Sequence, residues 1–127
     1  MRRLLSYLLL AAAGSVALSG CGGPAMAPVK GRVTFKGQPV KEAAIAFAPV
    51  PKSDEDKDPG KPAAGFTDAD GYYELSTFKP LDGAIVGRHK VTVSLDDTNP
   101  AKCKRHKGLT LEVKPGSNEF TVEMDPR

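Results

Sequence analysis

From Val29 onward, apolar side chains return at every second position, and turn-forming residues break the pattern about every eight to twelve residues. Val29, Gly31, Val33 and Phe35 fall on one side of the chain, and Lys30, Arg32, Thr34 and Lys36 on the other. Successive strand side chains point to opposite faces, so this is the pattern of a half-buried strand. Lys36-Gly37-Gln38-Pro39 reads as a turn, and Val40 to Phe47 as a second strand with Ala43, Ile45 and Phe47 on one face, so that the pair is expected to form a hairpin.

The rest of the chain repeats the alternation. Pro49 to Pro62 has no apolar period and carries Asp54-Glu55-Asp56-Lys57-Asp58, which is the composition of an exposed loop. Ala63 to Thr67 and Tyr72 to Phe78 read as strands around Asp68-Ala69-Asp70-Gly71, residues that tolerate positive φ or bond their own backbone. Pro80 to Gly87 reads as a connector, His89 to Leu95 as a strand and Asp96 to Gly108 as a polar loop. Leu109 to Val113 and Phe120 to Met124 flank Pro115-Gly116-Ser117-Asn118 and are expected to close the domain as a hairpin. About seven strands with no 3.6-residue period predict an all-β sandwich. Its core is expected to hold Val33, Phe35, Ile45, Phe47, Tyr73, Leu75, Val91, Val93, Leu111, Phe120 and Val122.

The first 28 residues follow other rules. Met1-Arg2-Arg3 is a positive start, Leu4 to Leu18 an uncharged run rich in Leu and Ala, and Ser19-Gly20 a small pair before Cys21. As a helix the run would reach only about 22 Å, short of the roughly 30 Å hydrocarbon core, so a secretory signal is expected rather than a permanent span. Leu18-Ser19-Gly20-Cys21 resembles the lipobox of bacterial lipoproteins. That resemblance implies a cleaved signal over 1–20, acylation of the Cys21 thiol, and a lipidated tether over 21–28 before a domain over 29–127. Cleavage after Ala25-Met26-Ala27 is the alternative, and Pro28 directly after that bond opposes it. Acyl chains on Cys21 would moor the protein to a membrane of the cell envelope. Gly22, in place of the Asp associated with inner-membrane retention, favours the outer membrane, on its periplasmic or surface face.

Val29-Lys-Gly-Arg-Val-Thr-Phe-Lys-Gly-Gln-Pro-Val40, Ala43-Ala-Ile-Ala-Phe47, Thr67-Asp-Ala-Asp-Gly-Tyr-Tyr-Glu-Leu75 and Gly87-Arg-His-Lys-Val-Thr-Val93 together resemble carboxypeptidase regulatory-like domains. The resemblance implies a seven-stranded Greek-key, prealbumin-like (transthyretin-like) sandwich acting as an accessory or adhesion module. The longer acidic loop at 49–62 departs from the usual pattern.

Charge and motif counts narrow the function. Of 18 Lys and Arg, two (Arg2 and Arg3) lie in the signal, leaving 16 against 15 Asp and Glu, too even a balance for nucleic acid to be an expected partner. Asp68-x-Asp70-Gly71 begins like a calcium loop, but Tyr73 and Lys79 stand where such a loop needs glycine and glutamate, so a turn is expected. Asp54, Glu55, Asp56 and Asp58 read as a solvated charge run. Cys103 and His106 supply two soft ligands where structural zinc needs four. With Cys21 acylated, Cys103 has no intrachain partner, and the basic cluster around it is a candidate for headgroup contact near the bilayer. Tyr72, Tyr73, His89 and His106 match an iron-dioxygenase set in number, but adjacent tyrosines point to opposite faces of a strand. The chain end, Met124-Asp-Pro-Arg127, lacks the Tyr-Arg-Gly-Ser ending of transthyretin-like hydrolases. No enzymatic activity, cofactor or metal is expected. The expected function is a membrane-anchored, non-enzymatic structural or interaction module whose partners, beyond the membrane, are an envelope protein or polysaccharide. The alternative is a carbohydrate- or peptide-binding module using Tyr72, Phe78 or the 49–62 loop.

Overall fold

A computed structural model describes residues 24–96, 99 and 106–125. These residues form ten strands and no helix. The strands are β1 (Met26–Ala27), β2 (Val29–Phe35), β3 (Gln38–Pro39), β4 (Ala44–Pro49), β5 (Ala63–Phe66), β6 (Tyr72–Glu74), β7 (Ala84–Ile85), β8 (Gly87–Ser94), β9 (His106–Val113) and β10 (Asn118–Glu123). One four-stranded sheet has β2 at its centre, with β10 on one side and β3 and β6 sharing the other. The second runs β5-β4-β8-β9, and β1 pairs with β7 as a two-stranded ribbon. The apolar faces of both sheets meet in one core around Phe47, Ile45, Leu75, Val33, Val91, Val93 and Val122.

Period-two patterning worked because the longer strands, such as β2, β4 and β8, bury alternate residues. Of the expected core, Val33, Ile45, Phe47, Tyr73, Leu75, Val91, Val93 and Val122 are buried, while Phe35, Leu111 and Phe120 pack partly buried against them. Val29, Val40, Ala43, Ala63, Ala84, Val113 and Met124 also belong to the core, as does Ala27 from the segment read as tether.

Both expected hairpins are corrected. After Phe35 the chain turns through Lys36 and Gly37, both at positive φ (53° and 79°), and returns only as far as β3. Val40 and Ala43 then bury themselves as the chain crosses to the other sheet, where β4 pairs with β5 and β8 rather than with β2. The 114–118 turn likewise passes between sheets: β9 pairs with β8, and β10 lies parallel to β2, with Asn118 opposite Val29 and Glu123 opposite Thr34. Asn118 makes the crossing. Its side chain accepts from Lys114 N–H (2.9 Å) and donates to the carbonyls of Lys114 (2.8 Å) and Gly116 (3.2 Å), while its backbone N–H donates to Pro28 O (3.1 Å).

The boundary expected at residue 29 also moves. Met26 and Ala27 pair with Ile85 and Ala84, Val86 N–H donates to Ala25 O at 2.9 Å, and Ala27 is buried. The N-terminal chain is therefore part of the body from residue 25, and part of the connector read at Pro80 to Gly87 is its partner strand.

Register sorts the loops to two poles. The starts of β2, β5, β8 and β10 and the ends of β4, β6 and β9 share one pole with Pro24, so residues 49–62, 75–86 and 114–117 lie there. Residues 36–43 and 67–71 lie at the other.

Candidate functional site

On the outward face of the β2 sheet, register lines up two rows of side chains. Glu119, Lys30 and Glu74 stand side by side on β10, β2 and β6, and Thr121, Arg32 and Tyr72 form the next row. Alternation put these residues outside because Val29, Val33, Tyr73 and Val122 take the inside. The Arg32 guanidinium lies 5.1 Å from the centre of the Tyr72 ring and donates from Nε to Asp70 O at 3.0 Å. Tyr72 is still 50% exposed, and Phe66 on β5 is 75% exposed. With Leu81 these residues border a groove of about 500 Å³ whose rim carries Lys30, Glu74 and Glu119. A half-open aromatic ring beside charges of both signs suits a ligand with flat apolar faces and hydroxyl or amide edges.

The groove is held in place from below. Tyr73, one residue after Tyr72, is buried, and its hydroxyl donates to Phe120 O at 3.0 Å. Burial pushes the Tyr73 phenol well above its ordinary value, so it stays protonated and keeps that bond. Gly31 makes the arrangement possible, since any Cβ there would stand 1.7 Å from Phe120 O. At the turn before Tyr72, Asp68 Oδ1 accepts from the N–H groups of Asp70 and Tyr72, both at 2.9 Å. Asp68 thus shapes the turn, as expected of an Asx residue.

The loop after β6 is built as tightly. Burial raises the Asp82 pKa, but the N–H groups of Thr77, Lys79 and Phe78 outweigh it and hold this carboxyl below the usual range. Ser76 Oγ accepts from Leu81 N–H at 2.8 Å, and Thr77 Oγ1 donates to Gly83 O at 2.7 Å. This loop leaves Phe78 53% and Leu81 61% exposed. Lys61 Nζ lies 5.5 Å from the centre of the Phe78 ring.

The remaining candidates are scattered. Tyr72 and Tyr73 point to opposite faces, as strand geometry requires. His89 is buried, its Nε2 lies 2.6 Å from Ile85 O, and its Nδ1 has no partner. The 49–62 loop folds on itself, with Asp56 accepting from Lys52 N–H (3.0 Å) and Asp58 N–H (3.3 Å). Among the described residues, no three His, Cys, Asp or Glu side chains are grouped to hold a metal ion. Cys21 and Cys103 lie outside the described residues, and His106 begins β9 opposite Val93. The basic cluster read around Cys103 lies almost wholly outside the described residues. Sequence reasoning missed Phe66, Leu81 and the two charged rows. The available signal was the outward phase of Lys30, Arg32, Glu119 and Thr121.

No family model and no curated protein matches this chain. Among solved structures, the chain is similar to a DUF3823 family protein from the bacterium Parabacteroides merdae ATCC 43184, at 20% identity and a TM-score of 0.53. The match covers 82% of this chain and 48% of that one, so the chain spans about half the length of the protein that it resembles. At this identity the likeness concerns the fold alone.

Proposed function

We propose that this chain is a bacterial cell-envelope lipoprotein, cleaved before Cys21, acylated on it and held by its N-terminal lipid. The sandwich is then a non-enzymatic interaction module. One observation carries the reading: the first described strand, β1, lies five residues after Cys21, and Ala25 O already accepts from Val86 N–H. Cleavage before Cys21 leaves every described strand in the mature chain. Cleavage after Ala27 would delete β1 and strip Ile85, Ala84 and Val86 of their partners.

A seven-stranded Greek-key, prealbumin-like topology is the finer fold assignment. Its support is that removing the two-residue pieces β1, β3 and β7 leaves seven strands, three around β2 and four around β4 and β8. Placement in the outer membrane rests on Gly22 after the acylated cysteine.

The second reading, a carbohydrate- or peptide-binding role, is favoured by the exposed Tyr72 ring in the groove. Phe78, the other expected platform, lies instead on the loop beside Pro24. Intact mass of the membrane-fraction protein tests the anchor: the wild type is expected to carry a diacylglycerol increment and Cys21→Ser to lose both the increment and membrane retention. Mature protein beginning at Pro28 in the aqueous fraction would overturn it. Titration of solubilised peptidoglycan fragments against wild type and Tyr72→Ala tests the groove, with binding lost in the variant expected.

A further inference from the structure

The pole that carries Pro24 also displays two large apolar side chains, Phe78 and Leu81. Phe78, Lys79 and Asp82 border the same hollow as Pro24 and Met26, so this loop flanks the point where the chain leaves toward Cys21. Only Gly22 and Gly23 separate Cys21 from Pro24, a reach of about 10 Å at roughly 3.5 Å per residue. A lipid on Cys21 would therefore hold this pole, and no other, against the bilayer.

The loop is shaped for such a contact. Leu81 sits at φ 58°, a left-handed conformation that disfavours any residue with a Cβ, yet its side chain is 61% exposed. The Asp82, Ser76 and Thr77 bonds hold that strained backbone in place. Leu81 and Phe78 add nothing to the core; the loop presents them outward. Lys61, across the Phe78 ring, has an apolar stem and a charged end suited to headgroup level. Across residues 49–62, 75–86 and 114–117, five lysines stand against five carboxylates, so the pole has no positive excess with which to select anionic lipid.

We propose that the Pro24 pole docks on the bilayer holding the acyl chains, with Phe78 and Leu81 seated in the interface, so that the domain stands upright, the Leu81 end of its β2-sheet groove at the headgroups and the Tyr72 end above them. The proposal rests on the lipoprotein reading and adds an orientation to it.

The chain has no tryptophan, so one can be introduced as a sole reporter. Lipidated full-length Phe78→Trp is reconstituted into phosphatidylcholine vesicles, with Tyr72→Trp as a second reporter on the sheet face. The Phe78→Trp emission is expected to shift to the blue and to be lost in brominated lipid, at low and high salt alike. The Tyr72→Trp emission is expected to be unaffected by brominated lipid. If the protein floats with the vesicles but Phe78→Trp stays unquenched, docking fails and anchoring stands. Equal quenching of both reporters would also overturn the upright orientation. If the purified membrane-fraction protein carries no lipid and does not float, both readings fail together.

Discussion

A methyl group at Gly31 would stand 1.7 Å from Phe120 O and 2.8 Å from the Tyr73 hydroxyl. Neither can retreat, since Phe120 belongs to the strand paired with β2 and Tyr73 is wedged into the core. Gly31→Ala is therefore expected to destabilise the fold by about 3 kcal/mol, at the upper end of overpacking effects, read as a lowered urea midpoint. Gly31 was legible only as an apolar-phase position in an alternating strand; the need for a missing side chain depends on a tyrosine forty-two residues away, which no local pattern reports. Tyr72 and Tyr73 were legible because strand geometry alone separates their faces. Leu81 was not, because an apolar residue in a Pro-, Asp- and Gly-rich connector has no period to give it a face.

At the level of elements, alternation says which face of a strand is buried but not which sheet the strand joins. Both mistaken hairpins came from this gap: Val29–Phe35 and Ala44–Pro49 share a phase, yet the chain between them crosses the core. The two-residue strands β1 and β7 are shorter than any window in which a period can be seen, so residues 24–28 read as tether. Their contribution is measurable. A chain beginning at Pro28 loses the pairing of Met26 and Ala27 with Ile85 and Ala84 and the bond from Val86 N–H, along with the buried Ala27 methyl. At about 1 kcal/mol per net hydrogen bond, a loss of roughly 2–3 kcal/mol is expected. Comparison of urea unfolding for chains beginning at Pro24 and at Pro28 checks it.

Across the whole molecule, the central pairing joins the beginning of the described chain to its end: Val29 to Thr34 lie beside Asn118 to Glu123. Nothing local nucleates that ladder, and its loop-closure entropy must be met before its bonds form. The fast phase of folding of residues 24–127 is therefore expected on the millisecond-to-second scale of all-β sandwiches in stopped-flow refolding, followed by slower proline-limited phases because the 11 prolines equilibrate between cis and trans in the unfolded chain. The all-β class was legible from the sum of many alternating segments, whereas strand order was not, because it depends on which loops cross. The parallel run of β2 and β10 has a mechanical side. β2 enters at the pole where the chain comes from Cys21, and β10 leaves at the opposite one. A tug between a fixed N-terminus and anything gripping the C-terminal end would draw these two neighbours past each other lengthwise. All the rungs between them would then bear the load together instead of unzipping in turn, which makes the fold a stiff link in the direction along which an anchored protein is pulled.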